Sequence, residues 1–87
     1  MDLGRTAEAI EALQRAVRLP EPTSESYYLL GQASLQSGDY LRAKESFQRA
    51  IVLLPDHTQA VFGLYTACLR LGLTEEAARY REQFQRL

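Results

Sequence analysis

The stretch Ser24–His57, SESYYLLGQASLQSGDYLRAKESFQRAIVLLPDH, decides the fold. It holds two apolar stripes at helical spacing, divided by Ser37-Gly38-Asp39 and closed by Pro55-Asp56. Tyr27, Leu30, Ser34 and Leu35 share one helix face, and Ala43, Phe47, Ala50 and Ile51 follow at i, i+4, i+7, i+8 on the next. A glycine stops the first helix and an aspartate starts the second. The stretch is 34 residues long, and the chain repeats on that period: Gly4, Gly38 and Gly72; Ala9, Ala43 and Ala77; Leu19, Leu53 and Leu87. Leu13 pairs with Phe47, Ala16 with Ala50, and Leu30 with Leu64 in the same register. Three triplets and several pairs at one period, in order along the chain, mark a repeat architecture.

Working outward, Ala9, Leu13, Ala16 and Val17 form the stripe of an upstream helix, and Val61, Leu64, Cys68 and Leu69 that of a downstream one. Leu19-Pro20-Glu21-Pro22 and Leu71-Gly72-Leu73 supply further breaks. Helix starts are expected at Thr23 or Ser24, at Asp39, at Asp56 or Thr58, and at Thr74. The expected map is five helices, at about 5–18, 24–37, 40–53, 58–71 and 74–87, with no strands. Connections this short make consecutive helices antiparallel neighbours. The fold class is all-α, an antiparallel helix-pair solenoid of about 2.5 repeats. One domain spans 1–87: the second helix of a partial repeat in 4–22, a complete repeat in 24–57 and a C-terminal repeat in 58–87.

These residues closely resemble the tetratricopeptide repeat family. In the central repeat Tyr27, Leu30, Gly31, Gly38, Tyr40, Ala43, Phe47, Ala50 and Pro55 stand at or near the family's signature positions. The next repeat keeps Leu64, Gly72 and Ala77 but has Val61 for Tyr27, Tyr65 for Gly31, Thr74 for Tyr40, Arg81 for Phe47 and Phe84 for Ala50. The first copy has only its second helix, with Gly4, Ala9, Leu13 and Ala16. Small residues at Gly31 and Ala43 let paired helices cross closely, and Leu30 and Phe47 fill the space beside the crossing.

The resemblance implies a concave face lined by the first helix of each pair and suited to a protein or peptide partner. Periodicity aims Glu25, Tyr28, Gln32, Leu35 and Gln36 toward that face from one repeat, and Gln59, Phe62, Thr66, Leu69 and Arg70 from the next. The candidate contact set is Tyr28, Gln32, Leu35, Gln36, Gln59, Phe62, Thr66, Leu69 and Arg70. Tyr28 and Phe62 share a register off the Leu30 and Leu64 stripe, and aromatic rings give large contact area at low entropy cost. The glutamines could bond an extended backbone, while Arg70 suits a partner carboxylate or simply a helix C-terminus. In family members that clamp a C-terminal carboxylate, cations and an asparagine line this face. The matching places here hold Tyr28, Gln32, Gln59 and Gly63, so that mode is not expected.

Composition narrows the remaining classes. Ten Lys and Arg against eleven Asp and Glu leave a net charge of −1, with no field to draw nucleic acid or an anionic membrane. The arginines of the last helix, Arg79, Arg81 and Arg86, are interleaved with Glu75, Glu76 and Glu82. One cysteine, Cys68, excludes an intrachain disulfide or thiolate cluster, and is expected to be a buried small hydrophobe. The one histidine, His57, sits in a turn beside Asp56 and is expected to be solvated, with no nucleophile beside it. The five glycines are isolated and form no phosphate loop. Neither catalysis nor a cofactor or metal is expected, and no signal or membrane-spanning segment is present, which is compatible with a cytoplasmic setting. The chain opens on the second helix of a pair and ends with Leu73, Tyr80, Phe84 and Leu87 on a last helix. Excision from a longer protein, or homo-oligomer formation through uncovered terminal helices, is the expectation; self-assembly is therefore the rival to peptide recognition.

Overall fold

In a computed structural model, residues 3–17 and 23–86 are described. They form α1 (Leu3–Val17), α2 (Ser24–Ser37), α3 (Tyr40–Leu53), α4 (Thr58–Arg70) and α5 (Thr74–Arg86). Helix limits fall within two residues of expectation wherever they can be compared. Arg18, the Leu19-Pro20-Glu21-Pro22 break and Leu87 lie outside the described residues. Each helix packs on its chain neighbours, and α2 also touches α4, so the antiparallel pairs stack into a slab of 33 × 28 × 16 Å.

Local chemistry sets the turns. Gly38 and Gly72, one period apart, adopt φ of 85° and 77°, a left-handed conformation open to a residue without Cβ. Around Gly38, its own N–H donates to Leu35 O and that of Asp39 to Ser34 O; around Gly72, the same pattern joins Gly72 to Leu69 and Leu73 to Cys68. Both ends are Schellman motifs, which satisfy carbonyls the helix would otherwise leave open. Thr23 and Asp39 cap α2 and α3 by accepting from Ser26 N–H and Arg42 N–H. The cap of α4 is neither Asp56 nor Thr58: His57 Nδ1 accepts from Ala60 N–H at 3.2 Å. His57 is therefore structural, and its side chain is only 10% exposed, against the solvated turn histidine expected.

The core sits where α2, α3 and α4 meet. Phe47, Ala43, Ala50, Ala60, Ala67 and Cys68 are fully buried, with Leu64 and Ala77 almost so. Phe47 is the centre of the packing. A Cβ on Gly31 of α2 would stand 2.7 Å from its Cδ1 and Cε1, and one on Gly63 of α4 would stand 2.5 Å from its Cζ. The ring is gripped from two helices by backbone that only glycine allows so near. The repeat spacing points to Gly31 for this role but not to Gly63, which stands in the register of Leu29. In the last pair the bulk moves by one residue: Arg81, in the Phe47 register, is exposed, and Tyr80 packs against the core instead.

Candidate peptide-binding groove

A groove of about 590 Å³ runs between α2 and α4. Tyr28, Gln32 and Leu35 line it from α2, and Thr58, Gln59, Phe62, Gly63 and Thr66 from α4. Phe47 of α3 forms part of its floor, and Phe84 of α5 closes one wall. Helical spacing explains the rows, since residues three or four apart stand one above another on a helix face. No lining residue carries a formal charge. A larger cleft of about 710 Å³ lies on the other side, between α3 and α5, where Glu45 and Arg49 stand beside Ile51, Val52, Leu64 and Tyr80.

Tyr28 does not stand off the core as its register implied. It is 9% exposed, with its ring 6.0 Å from Phe47 and 4.9 Å from His57. Its counterpart Phe62 is 51% exposed, and meets Phe84 at 5.3 Å and Tyr65 at 6.2 Å between ring centroids. Equal registers thus have unequal surroundings, because α3 and the α4 cap fold over Tyr28 and only aromatic edges flank Phe62. Burial, then the nearby Glu25 carboxylate, pushes the Tyr28 hydroxyl's pKa up and keeps it protonated. That hydroxyl accepts a hydrogen bond from Gln32 Nε2 at 2.6 Å. Gln32 is thereby held with its carbonyl and one N–H still available. Thr66 donates to Phe62 O at 3.1 Å and retains its acceptor lone pairs.

Six of the nine candidate contact residues line one groove: Tyr28, Gln32, Leu35, Gln59, Phe62 and Thr66. Gln36 lines a second depression of about 370 Å³ between α1 and α2, with Ala9, Ala12, Leu13, Leu29 and Ala33, and Gln32 borders both hollows. Leu69 and Arg70 are exposed one turn beyond Thr66, outside the groove lining. Phe47, Thr58, Gly63 and Phe84 belong to the groove and are not among the candidates.

Lys44, Glu76 and Cys68, outside the groove, have structural partners. Lys44 Nζ of α3 lies 2.9 Å from Glu76 Oε2 of α5, an ion pair joining the two helices. The hydrogen bond raises the Lys44 pKa and lowers that of Glu76. Glu76 therefore does more than complement a helix dipole. Cys68 is buried as expected, and desolvation, followed by the charge of Glu76, pushes its thiol up and away from the thiolate a nucleophile needs. Among the described residues no group of three or more His, Cys, Asp or Glu is placed to hold a metal ion. No described helix is long and apolar enough to cross a membrane.

With this geometry in view, the comparisons with known proteins agree on the architecture. The family model described as "Anaphase-promoting complex, cyclosome, subunit 3" matches residues 2–83. The chain belongs to that family. It is also 35% identical over 79 residues to Superkiller complex protein 3 of Mus musculus, covering 90% of this chain and 5% of that protein. Over 81 residues it is 30% identical to Tetratricopeptide repeat protein 37 of Xenopus laevis, covering 93% of this chain and 5% of that protein. The chain thus spans a twentieth of the length of these curated relatives. Its helix pairs are those of a tetratricopeptide-type repeat, in which the one histidine caps a helix and the one cysteine lies in the core.

Proposed function

We infer that the chain is a protein-interaction scaffold that holds a partner's peptide in the groove between α2 and α4. The observation that carries this reading is the uncharged aromatic groove itself, with Phe62 half-exposed on its wall and Phe47 beneath. Exposed aromatics in a preformed concavity exclude water when covered, and such residues dominate binding energy at interfaces. The five helices are read as a half repeat in 4–22, a full repeat in 24–57 and a C-terminal repeat in 58–87. Gln36, Leu69 and Arg70 then serve as outlying contacts rather than groove floor.

The test is selection of displayed seven-residue peptides on the 87-residue chain, followed by titration with Phe62→Ala and Thr66→Arg variants. Phe62 is exposed enough to be truncated without opening the core, and an arginine at 66 would fill the groove. Loss of peptide binding in both variants at unchanged helicity supports the reading; binding that survives both contradicts it. A second reading rests on the open depression on α1 and α2, lined by Ala9, Ala12, Leu13, Leu29 and Ala33. There the chain would associate with copies of itself through terminal helices. Concentration-dependent sedimentation supports that reading, and a strictly monomeric folded chain overturns it.

A further inference from the structure

The groove is neutral along its length but not at its ends. Glu25 lies one turn before Tyr28 on α2, beside His57, whose Nε2 is 3.9 Å from Glu25 Oε2. Arg70 lies one turn beyond Thr66 on α4, at the opposite end. Alternation of antiparallel helices makes α2 and α4 parallel, so these charges mark the two mouths of one groove. Glu25 shares a register with Gln59, and Arg70 follows Gln59 by eleven positions. At 1.5 Å of rise per residue the mouths are about 17 Å apart. That is roughly the reach of five extended residues.

We propose that the groove takes an extended segment of about five residues with a cationic side chain at one end, an apolar middle and a carboxylate at the other. This rests on the reading of the groove as a peptide site. The apolar middle follows from the uncharged lining, where an unpaired charge would lose hydration without compensation. An extended rather than helical backbone follows from the wall chemistry. A helix satisfies its own N–H and C=O groups, whereas an extended chain needs partners, and Gln32, Gln59 and Thr66 offer them. The charge order follows from Glu25 and Arg70: a cation belongs near the α2 N-terminal end and a carboxylate near the α4 C-terminal end. Both groups also complement their helix dipoles. Peptide preference separates recognition from that structural role, because a capping charge would be indifferent to the ligand's ends.

Four end-blocked peptides, Lys-Leu-Phe-Leu-Glu, Glu-Leu-Phe-Leu-Lys, Lys-Leu-Phe-Leu-Lys and Glu-Leu-Phe-Leu-Glu, are titrated into the 87-residue chain and followed by NMR. The expected result is that the better of the two mixed-charge peptides binds about two- to fivefold more tightly than either like-charge peptide, the range that one exposed ion pair supplies. Arg70→Glu then makes the Lys-ended peptide the best, Glu25→Lys makes the Glu-ended peptide the best, and 1 M salt levels all four. If all four bind equally and Phe62→Ala weakens them together, the charge order is overturned while the groove stands. If none binds, or Phe62→Ala leaves binding intact, the peptide-groove reading fails with it.

Discussion

Replacing Gly63 by alanine tests the packing on which the groove is built. In an exposed helix interior Gly→Ala is stabilising by about 1 kcal/mol, because alanine has less backbone freedom to lose. Here the new methyl would stand 2.5 Å from Phe47 Cζ, 2.7 Å from Cε1 and 2.8 Å from Cε2. Three carbon contacts so far inside van der Waals separation require the ring or α4 to move. Phe47 is fully buried, and Gly31 of α2 already stands against its Cγ, Cδ1 and Cε1, so the ring has little room to turn and relief means separating α4 from the core. Overpacking of this kind costs typically about 1–3 kcal/mol, and a clash with an immobile ring lies at the upper end. After the propensity gain, a net loss of about 1–2 kcal/mol is expected. For a domain this small that lowers the melting temperature by roughly 5–15 °C. Thermal denaturation of Gly63→Ala, Phe47→Leu and the double variant measures it. The leucine, with a shorter reach, relieves the methyl, so the double variant should be more stable than the sum of the single losses by at least about 1 kcal/mol. A Gly63→Ala chain as stable as the wild type, with additive losses in the double variant, would refute the argument.

Further outcomes follow from other contacts. Ser34 Oγ is buried without a hydrogen-bond partner, so Ser34→Ala is expected to raise stability by up to about 1 kcal/mol, read as a higher urea midpoint at unchanged slope. His57→Ala removes the α4 cap and should cost about 1 kcal/mol, whereas His57→Asn, a strong capping residue, should recover most of it. The Lys44–Glu76 pair gives a pH signature. The lowered Glu76 pKa makes its contribution full above the unfolded carboxylate's range and lost as pH falls through the folded value. The raised Lys44 pKa makes its contribution full below the unfolded lysine's range and lost as pH rises through the folded value. Melting curves of Glu76→Gln should therefore lie below wild type at neutral pH and converge on it in acid; a constant offset across pH would exclude the pair as the cause.

The helices were legible because a 34-residue period and glycine-marked breaks are local signals, and the left-handed φ at Gly38 and Gly72 is the physical reason for two of those marks. The row of groove residues on α2 and α4 was legible for the same reason, since helical spacing fixes which side chains share a face. What spacing could not supply was how far the neighbours reach. Tyr28 and Phe62 have one register, but α3 and His57 cover the first while the second stays half-exposed. Phe84 enters the groove through the placement of α5 on α4, which a one-dimensional pattern does not contain. The turn around His57 implies a solvated side chain, yet the position immediately before α4 is equally that of a cap. Gly63 did leave a trace: a glycine inside an apolar helix, away from any turn, implies a close neighbour. That neighbour, Phe47, lies sixteen residues upstream on another helix.

The central claim is that recognition occurs between α2 and α4. The most direct measurement is an amide and methyl NMR titration of the 87-residue chain with a selected peptide. Shifts confined to Tyr28, Gln32, Leu35, Gln59, Phe62, Thr66 and the aromatic signals of Phe84 are predicted. Shifts concentrated instead on Ala9, Leu13 and Leu29, or on Val52 and Tyr80 across the slab, would contradict the account.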